Sequence, residues 1–249
     1  RPESPVHEAI ADMDRIIIEG GTPLHGTLAI SGSKNAVLPL MVAGLLTDQP
    51  VTLRGTPRLA DTRTLANVLR ELGAQVEEFG SGPGEGLRVH AHDLSSVRAP
   101  YELVSKMRAS FWVLGPLLAR ARKAEVSLPG GCAIGTRPVD LYLSGLTKMG
   151  ADIAVEGGYV IAAARGGLKG ARIDLPFVSV GATHVLMMAA TLAEGKTTIT
   201  NAASEPEIVD VGRCLQQMGA KIDGLGTRTV HITGVGQLGG ADHTVSRDR

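Results

Sequence analysis

A chain of 249 residues, of which 43% are hydrophobic, can bury a sizeable core as one large domain or two smaller ones. Its 25 basic residues balance its 25 acidic residues and only 3% of the chain is aromatic, so the composition favours neither nucleic acid nor an anionic membrane surface as a partner. The apolar runs fall short of the roughly 20 residues that a membrane-spanning helix needs, and we expect a cytoplasmic protein.

The first twelve residues lack the apolar segment of a signal peptide, and regular patterning begins near Met13, so we interpret residues 1–12 as a flexible extension. The two cysteines, Cys132 and Cys214, are too few for a disulfide framework, which favours a reducing compartment. Cys214 falls in a helix-like segment and is expected to be a buried thiol. The cysteines and the seven histidines show no metal-ligand spacing, and we expect neither a metal site nor a cofactor.

Three copies of one short pattern divide the rest of the chain. Leu72-Gly73-Ala74-Gln75-Val76 recurs as Met149-Gly150-Ala151-Asp152-Ile153 and again as Met218-Gly219-Ala220-Lys221-Ile222. Each copy follows an amphipathic segment of helical period, and its glycine suits the left-handed position that ends a helix. A short strand follows each time. The three amphipathic helices are predicted at residues 64–72, 140–149 and 207–218.

A second kind of helix precedes each amphipathic one and is apolar nearly all round. A helix without a polar face must be buried on all sides, so we expect these helices at the centre, with the sheets forming the outer wall. They are predicted at residues 35–46, 109–121 and 182–193. A strand separates the two helices of each repeat, at residues 51–55, 125–128 and 197–200. The predicted unit of this α/β fold is helix, strand, helix, strand, strand, three times over.

The first apolar helix begins with a lysine. Ser31 or Ser33 can cap this helix, which places Lys34 in its first turn. A cation there opposes the helix dipole, so an incoming anion would relieve an unfavourable arrangement. A solvated lysine that swings away from the helix is the simpler alternative.

The other two apolar helices also begin with features that suit an anion. Arg108 lies at or before the start of the second helix, unless residues 101–104 extend that helix backward and make Arg108 internal. The third begins at Ser179-Val180-Gly181, whose free N–H groups suit a phosphate or diphosphate. If a threefold axis relates the helices, their ends converge on one face and form an anion site without a Walker or Rossmann motif.

Two stretches of the chain are rich in glycine. Residues 80–86 have alternating strand residues on both sides, which predicts a hairpin turn rather than a phosphate loop. The second stretch, residues 129–140, brings Cys132 close to Arg137. A free thiol titrates at about 8.5 and its pKa falls near a cation, so Cys132 is a candidate proton donor or nucleophile. The alternative is a small apolar residue in a tight turn, but the matching turns of the other repeats are brief, and sites tend to sit on such elaborated loops.

The chain resembles the enolpyruvyl transferases, and within them the MurA-type UDP-N-acetylglucosamine 1-carboxyvinyltransferases, over residues 13–249. The shikimate 3-phosphate enolpyruvyl transferases share the repeats but lack the cysteine loop, and they are the weaker match. The resemblance implies an inside-out α/β barrel of the enolpyruvyl transferase type. The residues that carry the resemblance are Ser33-Lys34-Asn35-Ala36, Met107-Arg108-Ala109-Ser110, residues 128–140, residues 178–183 and Glu205-Pro206-Glu207-Ile208-Val209-Asp210.

The resemblance also implies an activity. The enolpyruvyl group of phosphoenolpyruvate is transferred to the 3′-hydroxyl of UDP-N-acetylglucosamine with release of phosphate, in the first committed step of peptidoglycan synthesis. By the family pattern Cys132 is the general acid and the residue alkylated by fosfomycin, and Lys34 and Arg137 hold phosphoenolpyruvate. Asn35 and Arg108 would contact the nucleotide sugar. The uridine contacts would be Arg137, Pro138, Val139, Asp140 and Leu141, and the diphosphate contacts Ser179, Val180 and Gly181.

The chain departs from the family in two respects. Phe177 stands where members commonly carry a further diphosphate-binding lysine. Members also continue into a second domain of the same threefold kind, which closes over the substrates. We therefore expect residues 13–33 to be a strand of that second domain with its linker, residues 34–245 to be the domain that carries the cysteine loop, and residues 246–249 to begin the returning linker. The chain alone is expected to be inactive or nearly so, and a non-catalytic UDP-sugar-binding domain is the alternative.

Overall fold

The computed structural model of the chain describes residues 17, 20–21, 23, 25–27, 30–80, 85–129 and 139–248. Cys132, Arg137 and Pro138 of the cysteine loop lie outside the described residues. So do residues 1–12 and ten of the 21 residues of the predicted N-terminal strand segment with its linker (13–33).

The described chain folds as three successive repeats. The first contains α1 (Lys34–Ala43), a 3₁₀ turn (Gly44–Leu46), β1 (Val51–Arg54), α2 (Ala60–Glu71), β2 (Gln75–Phe79) and β3 (Gly86–His90). The second contains β4 (Arg98–Ala99), α3 (Tyr101–Val104), a 3₁₀ helix (Arg108–Val113), α4 (Leu114–Ala121), β5 (Lys123–Ser127), α5 (Asp140–Lys148), β6 (Asp152–Glu156) and β7 (Tyr159–Ala163). The third contains β8 (Arg172–Asp174), α6 (Val180–Ala190), β9 (Lys196–Thr200), α7 (Pro206–Gln217), β10 (Lys221–Asp223), β11 (Thr229–Thr233) and β12 (Ala241–Thr244).

The strands form three four-stranded sheets, ordered β12-β1-β3-β2, β4-β5-β7-β6 and β8-β9-β11-β10. Within each sheet the three predicted strands of one repeat pair antiparallel, and Phe79 opposite Gly86 confirms the hairpin around residues 80–86. The fourth strand pairs parallel with the first strand of the repeat, as β4 with β5, β8 with β9 and β12 with β1. The predicted five-element unit was therefore incomplete, because the strands that join one repeat to the next were missed.

The apolar helices are buried as predicted, but the first two are not continuous α-helices, since α1 ends at Ala43 and a 3₁₀ turn completes the first predicted helix. Residues 36–43 of α1 and residues 182–190 of α6 are all buried. The prediction of a single helix over residues 109–121 is wrong, since a 3₁₀ helix precedes α4 there. Pro116 has no N–H to donate to the carbonyl of Trp112, and in α4 it occupies the first turn, where helix N–H groups lack an intrahelical partner anyway.

The amphipathic helices end as the repeated glycines predict. Gly73, Gly150 and Gly219 follow α2, α5 and α7 with φ values of 100°, 89° and 100°, in the left-handed region that favours glycine. The first helix of this kind, α2, begins at Ala60, four residues before its predicted start at residue 64.

The carboxyl ends of the first two apolar helices are joined by an arginine. The half-buried Arg120, in the last turn of α4, donates from its Nη1 to the carbonyls of Leu45, Thr47 and Ala91 at 3.1, 2.8 and 2.7 Å. Burial lowers the pKa of its guanidinium from the ordinary value, but the group stays a cation at any physiological pH. Across the described residues, the helices are too short or too polar to span a membrane.

Candidate functional site

A cavity of about 770 Å³ lies where the helices of all three repeats begin. Its walls include residues from the first turns of α1, α2, α5, α6 and α7, together with the start of the 3₁₀ helix. The first N–H groups of a helix have no intrahelical acceptor, and the helix dipole places partial positive charge at the same end. Convergence of these ends gives the cavity an electrostatic preference for anions.

The structure brings most of the sequence-predicted binding residues to this cavity. Val139 and Asp140 are described but are not among the lining residues; they sit just before Leu141, at the start of α5. The predicted residues that line the cavity are Lys34, Asn35, Arg108, Leu141, Ser179, Val180 and Gly181, and Phe177 lines it as well.

Lys34 is the first residue of α1, and it has an acidic partner. Its Nζ lies 3.3 Å from Asp61 Oδ2, and both side chains remain partly exposed to the cavity. Ser33 occupies the N-cap position but its side chain makes no capping hydrogen bond, so the predicted serine cap is absent there. The charge of Lys34 is offset by the carboxylate of Asp61. The Ser33 hydroxyl accepts no hydrogen bond from the N–H groups of the first turn of α1.

Arg108 begins the 3₁₀ helix and is not internal to a longer one. The short helix α3 ends at Val104, and residues 105–107 separate it from the 3₁₀ helix. This break resolves the alternative left open by the sequence. It places the guanidinium-bearing residue at the start of its helix, at the same cavity as Lys34.

The start of α6 is closely packed. Ser179 Oγ accepts the N–H of Ala182 at 3.2 Å, which leaves the N–H groups of Val180 and Gly181 at the end of the helix without an intrahelical acceptor. A Cβ at Gly181 would lie 2.2 Å from Tyr142 Oη and 3.1 Å from Trp112 Nε1. Only glycine fits there without displacing the wall of the cavity.

Sequence reasoning missed several lining residues, among them Asp61, Glu207, Trp112 and Tyr142. Asp61 and Glu207 are the second residues of α2 and α7, the position that Leu141 holds in α5. The threefold repeat could have supplied this signal, because equivalent helix positions converge once the helix ends do. Trp112 and Tyr142 lie inside apolar segments, whose pattern predicts core residues.

A buried histidine supports the wall formed by α6. His184 is fully buried, its ring centroid lies 5.4 Å from that of Trp112, and its Nε2 is 3.4 Å from the backbone oxygen of Glu207. Burial lowers the pKa of His184 to about 4, so the ring is neutral near pH 7. This wall of the cavity therefore carries no histidine charge at that pH.

The second cysteine is a buried thiol, as predicted. Cys214 lies on α7 with no exposed surface, and burial, with a smaller effect of Asp210, raises its pKa to about 12. Such a thiol forms almost no thiolate near pH 7 and is unreactive. Among the residues that the structure describes, no group of histidine, cysteine and carboxylate side chains is placed to hold a metal ion.

The chain is similar to proteins of one enzyme class. A family model described as EPSP synthase (3-phosphoshikimate 1-carboxyvinyltransferase) matches residues 18–249. The UDP-N-acetylglucosamine 1-carboxyvinyltransferase of Rhodopseudomonas palustris (strain BisB18) is 58% identical over 243 residues, which are 95% of this chain and 57% of that protein. The protein of the same name from Rhizobium meliloti (strain 1021) is 59% identical over 244 residues, with the same coverage. The chain thus spans little more than half the length of these relatives.

Solved structures share the fold. The enolpyruvyl transferase NikO from Streptomyces tendae aligns with a TM-score of 0.79 at 25% identity, over 93% of this chain and 54% of that one. EPSP synthase from Acinetobacter baumannii aligns with a TM-score of 0.68 at 21% identity, over 88% of this chain and 49% of that one. The predicted α/β fold of the enolpyruvyl transferases is confirmed, and the structure shows that its three small sheets are mixed.

His184 should make the chain less stable as the pH falls. Its pKa is about 4 in the folded chain, against 6.5 when exposed, so between these values the unfolded chain binds more protons and the free energy of unfolding rises with pH. Most of this contribution is present above pH 6.5 and is lost towards pH 4. His184→Met should reduce the difference in unfolding free energy between pH 7 and pH 4.5 by roughly 2 kcal/mol, measured by urea denaturation.

The matched control is Met187→Leu, a substitution at a buried, non-ionisable residue of the same helix, which should leave the pH dependence unchanged. An equal response to pH in the unsubstituted chain and in His184→Met would contradict the prediction.

Proposed function

The chain belongs to the EPSP synthase family of enolpyruvyl transferases, and we propose that it forms the substrate-binding half of a UDP-N-acetylglucosamine 1-carboxyvinyltransferase. The observation that carries this proposal is the cavity at which the helices begin, since both substrates are anions and seven of the predicted contact residues line it. The identity of 58% to a relative of that name supports the choice of substrate. The product enters peptidoglycan synthesis, in the cytoplasm.

The nucleotide sugar binds along the starts of α5 and α6. The N–H groups of Val180 and Gly181, with Ser179 as the cap, receive the diphosphate. We assign the uridine contacts to residues 137–141, of which Leu141 lines the cavity, and the sugar contacts to Asn35 and Arg108 at the starts of their helices. The exposed Phe177 adds an apolar surface at the rim in place of a cation.

Phosphoenolpyruvate binds between Lys34 and Arg137. The phosphate displaces Asp61 from Lys34, which exchanges one anionic partner for another. Cys132 gives its proton to the methylene carbon while the 3′-oxygen of the sugar bonds to the adjacent carbon and loses its own proton to a base of the second domain. Loss of a methyl proton and of phosphate from the resulting ketal leaves the enolpyruvyl ether.

The full architecture is an inside-out barrel, with the apolar helices inside and the sheets outside. The pairing of strands between repeats supports this arrangement, because β12 of the third repeat pairs with β1 of the first. Residues 34–245 form this domain. The flanking segments run side by side, with the N–H of Ser33 donating to Ser246 and that of Asp248 donating to Ser31. We assign them as the two connections to a second domain that activity requires.

Reconstitution tests the activity. The chain should release little phosphate from phosphoenolpyruvate and UDP-N-acetylglucosamine alone, and much more when it is mixed with the remaining part of the Rhodopseudomonas palustris relative. As a control, the two parts of that relative are mixed with each other, to show that separately produced parts can restore activity. Phosphate release that depends on shikimate 3-phosphate instead would favour the other activity of the family. Binding of the nucleotide sugar without phosphate release, in an experiment whose control is active, would favour a non-catalytic domain.

Fosfomycin should label one of the two cysteines. In the presence of UDP-N-acetylglucosamine we expect a single adduct in the intact mass of the chain. Cys132→Ser should abolish the adduct, whereas Cys214→Ser, the matched control, should retain it because that thiol is buried and its pKa is raised to about 12. The full-length relative is the positive control. An adduct that persists in Cys132→Ser would contradict the assignment.

Gly181→Ala should weaken binding of UDP-N-acetylglucosamine. The added Cβ would lie 2.2 Å from Tyr142 Oη and would displace the N–H groups assigned to the diphosphate. We expect the Kd to rise about tenfold, equivalent to roughly 1.4 kcal/mol, in calorimetric titration of the chain. Gly236→Ala, where open space surrounds the glycine, should leave the Kd unchanged. An unchanged Kd in Gly181→Ala would argue against the site.

A further inference from the structure

A buried carboxylate and histidine lie outside the cavity and take no part in the proposed chemistry. His243 on β12 places its Nε2 2.9 Å from Oδ1 of Asp210 on α7, and both side chains are nearly fully buried. The Nδ1 of His243 is 3.3 Å from Gln217 Oε1, also on α7. Burial alone would raise the pKa of Asp210, but the hydrogen bonds from His243 and Ser246 hold it below the ordinary value, so the group is a carboxylate.

The second oxygen of this carboxylate holds the chain just after β12. The N–H of Ser246 donates to Asp210 Oδ2 at 3.0 Å. In turn, the carbonyl of Ser246 accepts the N–H of Ser33 at 2.8 Å. Ser33 immediately precedes Lys34, and its own carbonyl accepts the N–H of Val37 at 2.9 Å in the first turn of α1. A continuous series of hydrogen bonds therefore connects Asp210 to the residue before Lys34.

The two segments that meet here are joined to each other and to the end of β1. Residues 31–33 and 246–248 are joined by an isolated bridge between Gly32 and Arg247, not by a sheet. The N–H of Gly32 donates to Gly55 at 3.1 Å, at the end of β1. A charged acceptor makes a stronger bond than a carbonyl does, so the bond from Ser246 to Asp210 is stronger than a backbone bond such as that from Ser33 to Ser246.

We propose that Asp210 and His243 are positioning residues for Lys34, acting through Ser246 and Ser33. This proposal rests on the proposed function, which gives Lys34 its contact with phosphoenolpyruvate. His243 orients the carboxylate by occupying Oδ1, and Asp210 fixes Ser246 with Oδ2. The start of α1, from which the Lys34 side chain extends into the cavity, is thereby held in place. Neither residue touches substrate.

Hydrogen exchange of the full chain tests the connection without reference to activity. Asp210→Ala should raise the exchange rates of the Ser246 and Ser33 amides at least tenfold while the amides of β11 keep their protection. Asp210→Asn should preserve slow exchange, because the amide oxygen can still accept from Ser246 and the other histidine tautomer can accept from the amide nitrogen. If Asp210→Ala does not fold, Asp210→Leu fills the site with an apolar side chain and removes the same bonds.

An unchanged Ser33 amide in a variant whose Ser246 amide exchanges faster would overturn the connection. A uniform increase across the chain, β11 included, would overturn it as well, since it would mean general destabilisation.

Kinetics of the reconstituted enzyme test the consequence for Lys34. Asp210→Ala should raise the KM for phosphoenolpyruvate about tenfold and lower kcat, with the KM for UDP-N-acetylglucosamine within twofold, and Asp210→Asn should recover most of the loss. Arg120→Met, which removes hydrogen bonds at the opposite end of the apolar helices, is the matched control and should shift neither KM. Equal shifts in both KM values, or none, would overturn the positioning role. Inactivity of the unsubstituted mixture would instead count against the proposed function.

Discussion

The burial of three helices that have no polar face is the constraint on which the rest of this structure depends. Such helices must be covered on every side, and here three four-stranded sheets and the amphipathic helices α2, α5 and α7 provide the cover. The buried helices of the three repeats point in the same direction, so they also begin on the same side of the core. The cavity therefore follows from how the core is built and needs no separate binding motif.

The amino and carboxyl ends of the buried helices differ in how their unpaired backbone groups are satisfied. At the carboxyl ends the protein satisfies its own groups, since Arg120 donates to the carbonyls of Leu45, Thr47 and Ala91. At the other end the first N–H groups of α6 face a cavity, and the cation of Lys34 is balanced by a partly exposed carboxylate that an anion can replace. Among the described residues, the protein thus satisfies the carbonyls at the carboxyl ends of the first two buried helices, whereas N–H groups at the amino ends remain available to a ligand.

Much of this fold was readable from the sequence because its signals are local. The glycines at positions 73, 150 and 219 marked the helix ends, and unbroken apolar character marked the buried helices. The strands β4, β8 and β12 were missed because they are only two to four residues long and are defined by pairing with a different repeat. The Lys34 and Asp61 pair was missed for the same reason, since a contact between two helices leaves no periodic trace in either.

The repeats are alike in backbone and differ at the cavity. The second residue is Asp61 in α2, Leu141 in α5 and Glu207 in α7, so one helix position presents a partly exposed acid, an apolar side chain and a nearly buried acid. A threefold-symmetric cavity would bind a threefold-symmetric ligand. The two proposed substrates, phosphoenolpyruvate and a nucleotide sugar, are different molecules, and divergence between the repeats gives each its own surroundings. Symmetry accounts for the position of the cavity, and departures from symmetry would account for the specificity proposed for it.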